Sequence, residues 1–155
     1  MALKGSREIL ATEVGLFLNE VAERGVVVSY STAGSGVNID STSNVATVAA
    51  SASGSKPVGI LIDDFVNLDL SKQPVNWYKH QANSGDKASI VTKGWVVTNK
   101  VVGSPNAGDN AVLIANGNVS GVTLGSVWNV TANPLVGRFR SKKDEDGYAR
   151  VYIDL

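Results

Sequence analysis

His80 is the residue whose type could most readily do nucleophilic or acid–base chemistry, because it is the one histidine of a chain that has no cysteine. A serine–histidine–carboxylate arrangement needs the imidazole held beside a serine and oriented by an acid. His80 stands instead in the polar stretch WYKHQANSGD, and no GxSxG turn accompanies it. The sequence therefore predicts a solvated or loop-bonded histidine and no catalytic residue, so we do not expect an enzyme.

Acidic residues occur in two places where paired carboxylates could act. Asp63, Asp64 and Asp69 have no neighbour in sequence that would separate their pKa values, as acid–base catalysis requires, and we interpret them as solvated strand-end acids. The run DEDG at residues 144–147 resembles a fragment of a calcium loop, but YARVYIDL follows it where an EF-hand needs further ligands. A hairpin turn with Gly147 at positive φ explains the run better. We expect no metal and no cofactor.

Phosphate and nucleic-acid binding are also disfavoured. The glycine-containing GSGVNID at residues 34–40 lacks the Walker spacing. The basic residues Arg138, Arg140, Lys142 and Lys143 are followed directly by three acids, which is typical of a charge-balanced turn. Lys and Arg total 14, Asp and Glu total 14, and the net charge is +0, so we expect no direct nucleic-acid binding.

The elements around these residues are predicted to be mostly strands. Gly accounts for 16 of 155 residues, and valine is common, which favours strands joined by tight turns. No apolar run reaches transmembrane length, and MALKGSREIL lacks the features of a signal peptide, so we expect a soluble chain made inside the cell without a membrane partner. The length fits one domain, or one domain plus an arm.

Residues 1–56 are predicted to form an extended amino-terminal arm. A short helix is expected from a Thr12 cap to a stop at Gly25, with strands over residues 26–30 and 45–49. Low charge and small residues suit a segment that adds a strand to a neighbouring sheet. The alternatives are a helix that covers one end of the domain and a flexible loop joined to an ordinary strand.

Residues 57–155 are predicted to form the compact all-β domain, a small barrel or sandwich, because short strands alternate with turn residues. The expected strands cover residues 58–62, 66–70, 87–93, 95–102, 111–115, 135–140 and 148–155, and one or two short strands are expected over 122–130. Gly94 is predicted to be a bulge or bend, and residues 103–109 a turn. Trp77 and Tyr78 lie in a polar loop, where they either fold back on the domain or anchor an interface.

Four segments in this order, FLNEVAERGVVV, KPVGILIDDFVNLDL, TKGWVVTNKVVGSPNAGD and VGRFRSKKDEDGYARVYIDL, resemble the head decoration (cement) proteins of tailed bacteriophages. The resemblance covers most of the chain. It implies a β-tulip-like body and a homotrimer that binds the major capsid protein on the outer surface of the virion. Proteins of this kind lock neighbouring capsomers together after the head expands.

An arm of such a protein often makes strand-type contacts with the capsid. The residues we expect to dock are the apolar ones of the front segment: Leu16, Phe17, Leu18, Val26, Val27, Val28 and Tyr30. Two other functions stay open, namely another virion component such as a head-fibre base, tail or baseplate module, and a carbohydrate-binding β-sandwich that uses Trp77 and Tyr78.

Overall fold

The predicted predominance of strands is confirmed in a computed structural model that describes residues 2–32, 44–63 and 81–155. Within those residues a single short 3₁₀ turn, Ala115–Gly117, is the only helical element. The strands, in chain order, are β1 (Leu3–Glu13), β2 (Phe17–Leu18), β3 (Ala22–Glu23), β4 (Val27–Ser31), β5 (Val45–Thr47), β6 (Pro57–Asp63), β7 (Gln81–Ala82), β8 (Ser89–Thr98), β9 (Val101–Val102), β10 (Asn110–Leu113), β11 (Val119–Val122), β12 (Leu135–Phe139) and β13 (Ala149–Asp154).

Most of these strands belong to one sheet, in the order β2-β5-β4-β6-β8-β13-β12-β10-β11-β9, and β1 also pairs with β8. The pairs β2–β5 and β9–β11 are parallel, and the other described pairs of this sheet are antiparallel. Strands β3 and β7 form a separate two-stranded sheet. The main sheet is mixed and open, so neither the predicted barrel nor the predicted sandwich is confirmed.

Alternation along β13 shows why the closing segment forms a strand. Ala149, Val151 and Ile153 are buried, while Arg150 and Tyr152 point away from the core. Successive side chains of a strand face opposite sides, so this period of two places every second residue in the core. The strand pairs with β8 on one side and with β12 on the other, which makes it an interior strand of the sheet.

The helix predicted for residues 12–24 is wrong. Thr12 belongs to β1, and two short strands, β2 and β3, follow it. Leu16 and Leu18 are buried while Phe17 is partly exposed, so the consecutive apolar residues follow the two-residue period of a strand. Their backbone groups bond to distant segments: Phe17 N donates to Asn44 O at 2.8 Å, and Ala88 N donates to Leu16 O at 2.8 Å.

Several other predicted strands match the structure, with small shifts at their ends: β4, β5, β6, β10, β12 and β13. The one or two strands predicted over residues 122–130 are wrong beyond Val122, because β11 ends there. Gly94 does not divide two strands, since β8 continues through it, but the pairing of β8 with β1 shifts register next to Gly94, in agreement with the predicted bulge. Gly94 has φ of 136° and meets the Glu8 carbonyl so closely that a Cβ would overlap it, which is why the strand tolerates only glycine there.

Described residues before position 57 pack in the same hydrophobic core as the residues that follow it. Leu3 and Val27 pack in the same cluster as Val96, Phe139 and Val151. Leu18, Val28 and their neighbours form a second cluster with Leu61 and Ile90. The described part of the front segment is therefore built into the sheet, and its separation as a docking arm over residues 1–56, next to a body over residues 57–155, stays a prediction.

Candidate interaction surfaces

Five of the seven residues that we expected to dock lie in the core of this chain. Leu16, Leu18, Val26, Val27 and Val28 are at most 6% exposed. Their side chains cannot reach a partner unless the core opens. Phe17 is partly exposed, and Tyr30 is 57% exposed. The structure therefore leaves these two as the side chains of the set that another molecule can contact directly.

The backbone of the same segment is also occupied. Strand β4 pairs with β5 on one side and with β6 on the other. Strand β2 pairs with β5, and Leu18 N donates to Asp86 O at 2.9 Å while Gly85 N donates to Leu18 O at 2.7 Å. Strand addition requires unpaired backbone groups along an edge. Neither strand offers such an edge in this structure.

A different segment exposes apolar side chains, and the sequence analysis missed it. We call residues 123–133, between β11 and β12, the apolar loop. Leu124 and Val130 are each 58% exposed, and Val127 is 101% exposed, so its side chain touches nothing in the described chain. The loop thus has three exposed aliphatic side chains within seven residues, a concentration that suits contact with another apolar surface.

The apolar loop is ordered by its own hydrogen bonds. The Asn129 side-chain oxygen accepts from Thr131 N at 3.0 Å and from Ala132 N at 3.2 Å. Asn133 N donates to Asn129 O at 2.9 Å, and Trp128 Nε1 donates to Asn133 O at 3.2 Å. A side chain that satisfies two backbone donors holds a turn in one conformation. These bonds hold residues 128–133, and with them Val130, in a defined turn.

Two bonds fix the apolar loop to the sheet. Asn133 Nδ2 donates to Leu113 O in β10 at 3.1 Å. Gly54 N donates to Thr131 O at 2.9 Å, which connects the loop to the segment before β6. The sequence signal for this loop was available in TLGSVWNVTANP, where Gly125, Asn129 and Asn133 are turn formers. The valines of this segment led to the prediction of a strand instead, because valine favours strands.

A second surface lies on the outer side of the sheet. One row of paired residues crosses five neighbouring strands of this sheet, from β1 through β8, β13 and β12 to β10. In that order, the row consists of Glu8, Trp95, Tyr152, Arg138 and Asn110. Trp95 Nε1 donates to the Glu8 carboxylate at 2.9 Å. Because neighbours in a row of paired strands lie on one face, the register alone brings together residues that are far apart in sequence.

Two arginines stack on the aromatic rings of this row. The Arg150 guanidinium carbon lies 4.3 Å from the Trp95 ring centre, and that of Arg140 lies 4.3 Å from the Tyr152 ring centre. Stacking leaves the edges of a guanidinium group free to donate hydrogen bonds. We call this surface the arginine–aromatic face.

A cleft of about 370 Å³ opens on the arginine–aromatic face. Its walls are formed by residues of β10, β12 and β13 and the residue after β12: Asn110, Leu135, Gly137, Arg138, Arg140, Tyr152 and Asp154. Asp154 lies 3.8 Å from Lys93 Nζ. Arg138 and Arg140 form no ion pair within the described residues, so the cleft carries two guanidinium groups without a carboxylate partner.

The acidic run is a turn, as predicted, and it is rigid. Asp144 N donates to Tyr148 O at 2.8 Å, Gly147 N donates to Asp144 O at 3.0 Å, and Gly147 has φ of 87°. Tyr148 N donates to the Asp144 carboxylate at 2.7 Å, and Lys4 Nζ lies 3.4 Å from it. These bonds, chiefly the one from Tyr148 N, hold the pKa of Asp144 below its ordinary value of 3.8.

Several predicted candidates lie outside the described residues: His80, Trp77, Tyr78, Asp64, Asp69, the stretch 34–40 and the strand 66–70. The side chain of Asp63 is also not described. Among the residues that the structure does describe, no group of three or more His, Cys, Asp and Glu side chains could hold a metal ion. In the same part of the chain, no helix has the length and apolar character that crossing a bilayer requires.

Comparisons with known proteins give no match: neither a protein-family model nor a curated protein matches this chain in sequence.

Proposed function

We propose that this protein is a structural component of a tailed-phage virion that binds the outer surface of the capsid and cements neighbouring capsomers as a homotrimer. The four segments that resemble head decoration proteins support the proposal. The nearly all-strand scaffold is compatible with a protein that acts by binding, because it presents preformed surfaces on a sheet.

The observation that carries the proposal is the apolar loop, in which Leu124, Val127 and Val130 are exposed and hydrogen bonds hold residues 128–133. Full burial of one aliphatic side chain of this size contributes roughly 1.5–3 kcal/mol. Hydrogen bonds that already hold part of the loop also reduce the entropic cost of ordering it on binding. A partner with a matching apolar recess therefore gains stability from all three residues at once.

A trimer would multiply this contact. Three copies of one patch on a single rigid assembly bind at high effective concentration, so each contact can be weak while the assembly dissociates slowly. A threefold assembly also matches a threefold position of a shell. In this proposal the apolar loop makes the principal contact, and the exposed Tyr30 and partly exposed Phe17 of the front segment contribute beside it.

The test is a binding assay with expanded heads of the phage whose genome encodes the chain, freed of the protein. Wild type should sediment with the heads. Val127→Asp should lose binding by at least about tenfold, because it places a charge in an apolar contact. Since Val127 is 101% exposed, the variant should keep the thermal stability of the wild type.

Asn99→Asp is the matched control, because it adds the same charge at an exposed turn residue away from the apolar loop. It should bind as wild type does. If wild type does not bind the heads, or if Val127→Asp and Asn99→Asp both bind normally, the capsid-contact role of the loop is refuted. Imaging labelled protein on whole particles distinguishes the head from the tail or baseplate, which is the alternative location.

A further inference from the structure

The two surfaces that the proposed capsid contact does not use are complementary in charge. The cleft of the arginine–aromatic face holds Arg138 and Arg140 without a carboxylate partner among the described residues. The turn at residues 144–147 exposes Glu145 and Asp146, whose carboxylates likewise have no partner there. Both belong to the β12–β13 hairpin, yet within one chain they do not meet.

The other acidic side chains close to these surfaces are already engaged. Glu8 accepts from Trp95 at 2.9 Å, Asp154 lies 3.8 Å from Lys93, and Asp144 is held by Tyr148 N and Lys4. Of the two lysines before the acidic run, Lys143 donates to Val101 O at 3.0 Å, while Lys142 is exposed. Glu145 and Asp146 are therefore the carboxylates of this hairpin that remain available to a second molecule.

The turn and the cleft are both preorganised. The acidic turn is closed by the bonds between Asp144, Gly147 and Tyr148. In the cleft, Arg140 is fixed on the Tyr152 ring at 4.3 Å. Arginine and tyrosine are the residue types in which binding energy concentrates at protein interfaces, and a planar guanidinium group can bind a carboxylate through two parallel hydrogen bonds.

We propose that copies of this chain associate head to tail, with Glu145 and Asp146 of one copy binding Arg138 and Arg140 in the cleft of the next. Because donor and acceptor patches differ, the contact is heterologous and closes into a ring when the rotation between copies permits. This inference rests on the proposed function in one respect: on a capsid shell, the contact between copies would be the one that holds the trimer together.

The experiment uses charge reversal in the full chain, with molar mass measured by analytical ultracentrifugation over a range of concentrations. Wild type should exceed the 16.2 kDa of one chain. R138E/R140E and E145K/D146K should each weaken association at least about a hundredfold, because each places like charges opposite one another. The quadruple variant R138E/R140E/E145K/D146K restores opposite charges and should recover the wild-type mass.

R138Q/R140Q is a milder variant that removes the two positive charges without reversing them. Circular dichroism verifies that every variant is folded. Raising the salt concentration to about 1 M, where the screening length falls to about 3 Å, should also weaken the wild-type assembly. A wild type that stays a monomer at every concentration, an oligomer that both reversals leave unchanged, or a folded quadruple variant that remains monomeric overturns the proposal. Head binding is measured separately, so a monomer that still binds heads refutes this contact and the homotrimer, while the proposed binding to the capsid stands.

Discussion

The apolar loop and the β12–β13 hairpin are neighbours in sequence, but they use their apolar residues in opposite ways. In the hairpin, Phe139, Val151 and Ile153 are at most 1% exposed and pack in the principal core cluster. In the loop, Leu124, Val127 and Val130 face solvent, and hydrogen bonds from Thr131 N and Ala132 N to the Asn129 side chain hold the turn beside them. The comparison shows that aliphatic residues in a segment rich in strand-forming residues are buried only where a paired strand places them in the core.

The largest effect on stability should come from Phe139→Ala. Removing a fully buried phenylalanine leaves a cavity in the core and should cost about 3–5 kcal/mol of the free energy of unfolding. Val127→Ala, in the apolar loop, should change it by less than about 0.5 kcal/mol, because its side chain is solvated. Urea unfolding followed by tryptophan fluorescence measures both. Similar losses for the two variants would contradict the contrast between hairpin and loop.

A second, smaller contrast concerns glycines. A Cβ added at Gly137 would overlap the Tyr152 carbonyl of the paired strand, so Gly137→Ala must separate β12 from β13 and should cost about 3 kcal/mol. Gly125 in the loop has φ of 86° and nothing within 4 Å of an added Cβ. Gly125→Ala therefore carries only the cost of the left-handed backbone, about 1–2 kcal/mol. Thermal unfolding of both variants should rank them in this order, and an equal shift would be inconsistent with the tight strand contact.

The smallest predicted effect is a pH dependence at the acidic turn. Because the pKa of Asp144 is lowered in the folded chain, its ionised form contributes stability that is present above the ordinary pKa of 3.8 and is lost as the pH falls through the folded value. Asp144→Asn should lower the melting temperature slightly at pH 7, and the two curves should converge below pH 3.8. Asp146→Asn is the control, and a gap that persists in strong acid would argue against this linkage.

The sequence predicted β13 well because its apolar and polar residues alternate strictly. The prediction from sequence failed where the same local pattern of residues fits both a helix and a strand. Leu16, Phe17 and Leu18 fit a helix as well as a strand, and only the bonds of this segment to residues 44–46 and 85–88 decide between them. The arginine–aromatic face depends on register between strands that are far apart in sequence, and no local pattern encodes that register.

The position of β13 has a consequence for biosynthesis. Its six residues leave the ribosome after the other described strands of the sheet, yet they lie between β8 and β12 and pair with both. Until they emerge, β8 lacks one of its partners and β12 pairs on one side alone, so the nascent chain carries unpaired strand edges. We therefore expect the middle of the sheet to assemble only after translation of residues 149–154, which makes the nascent chain a natural client for chaperones that shield such edges.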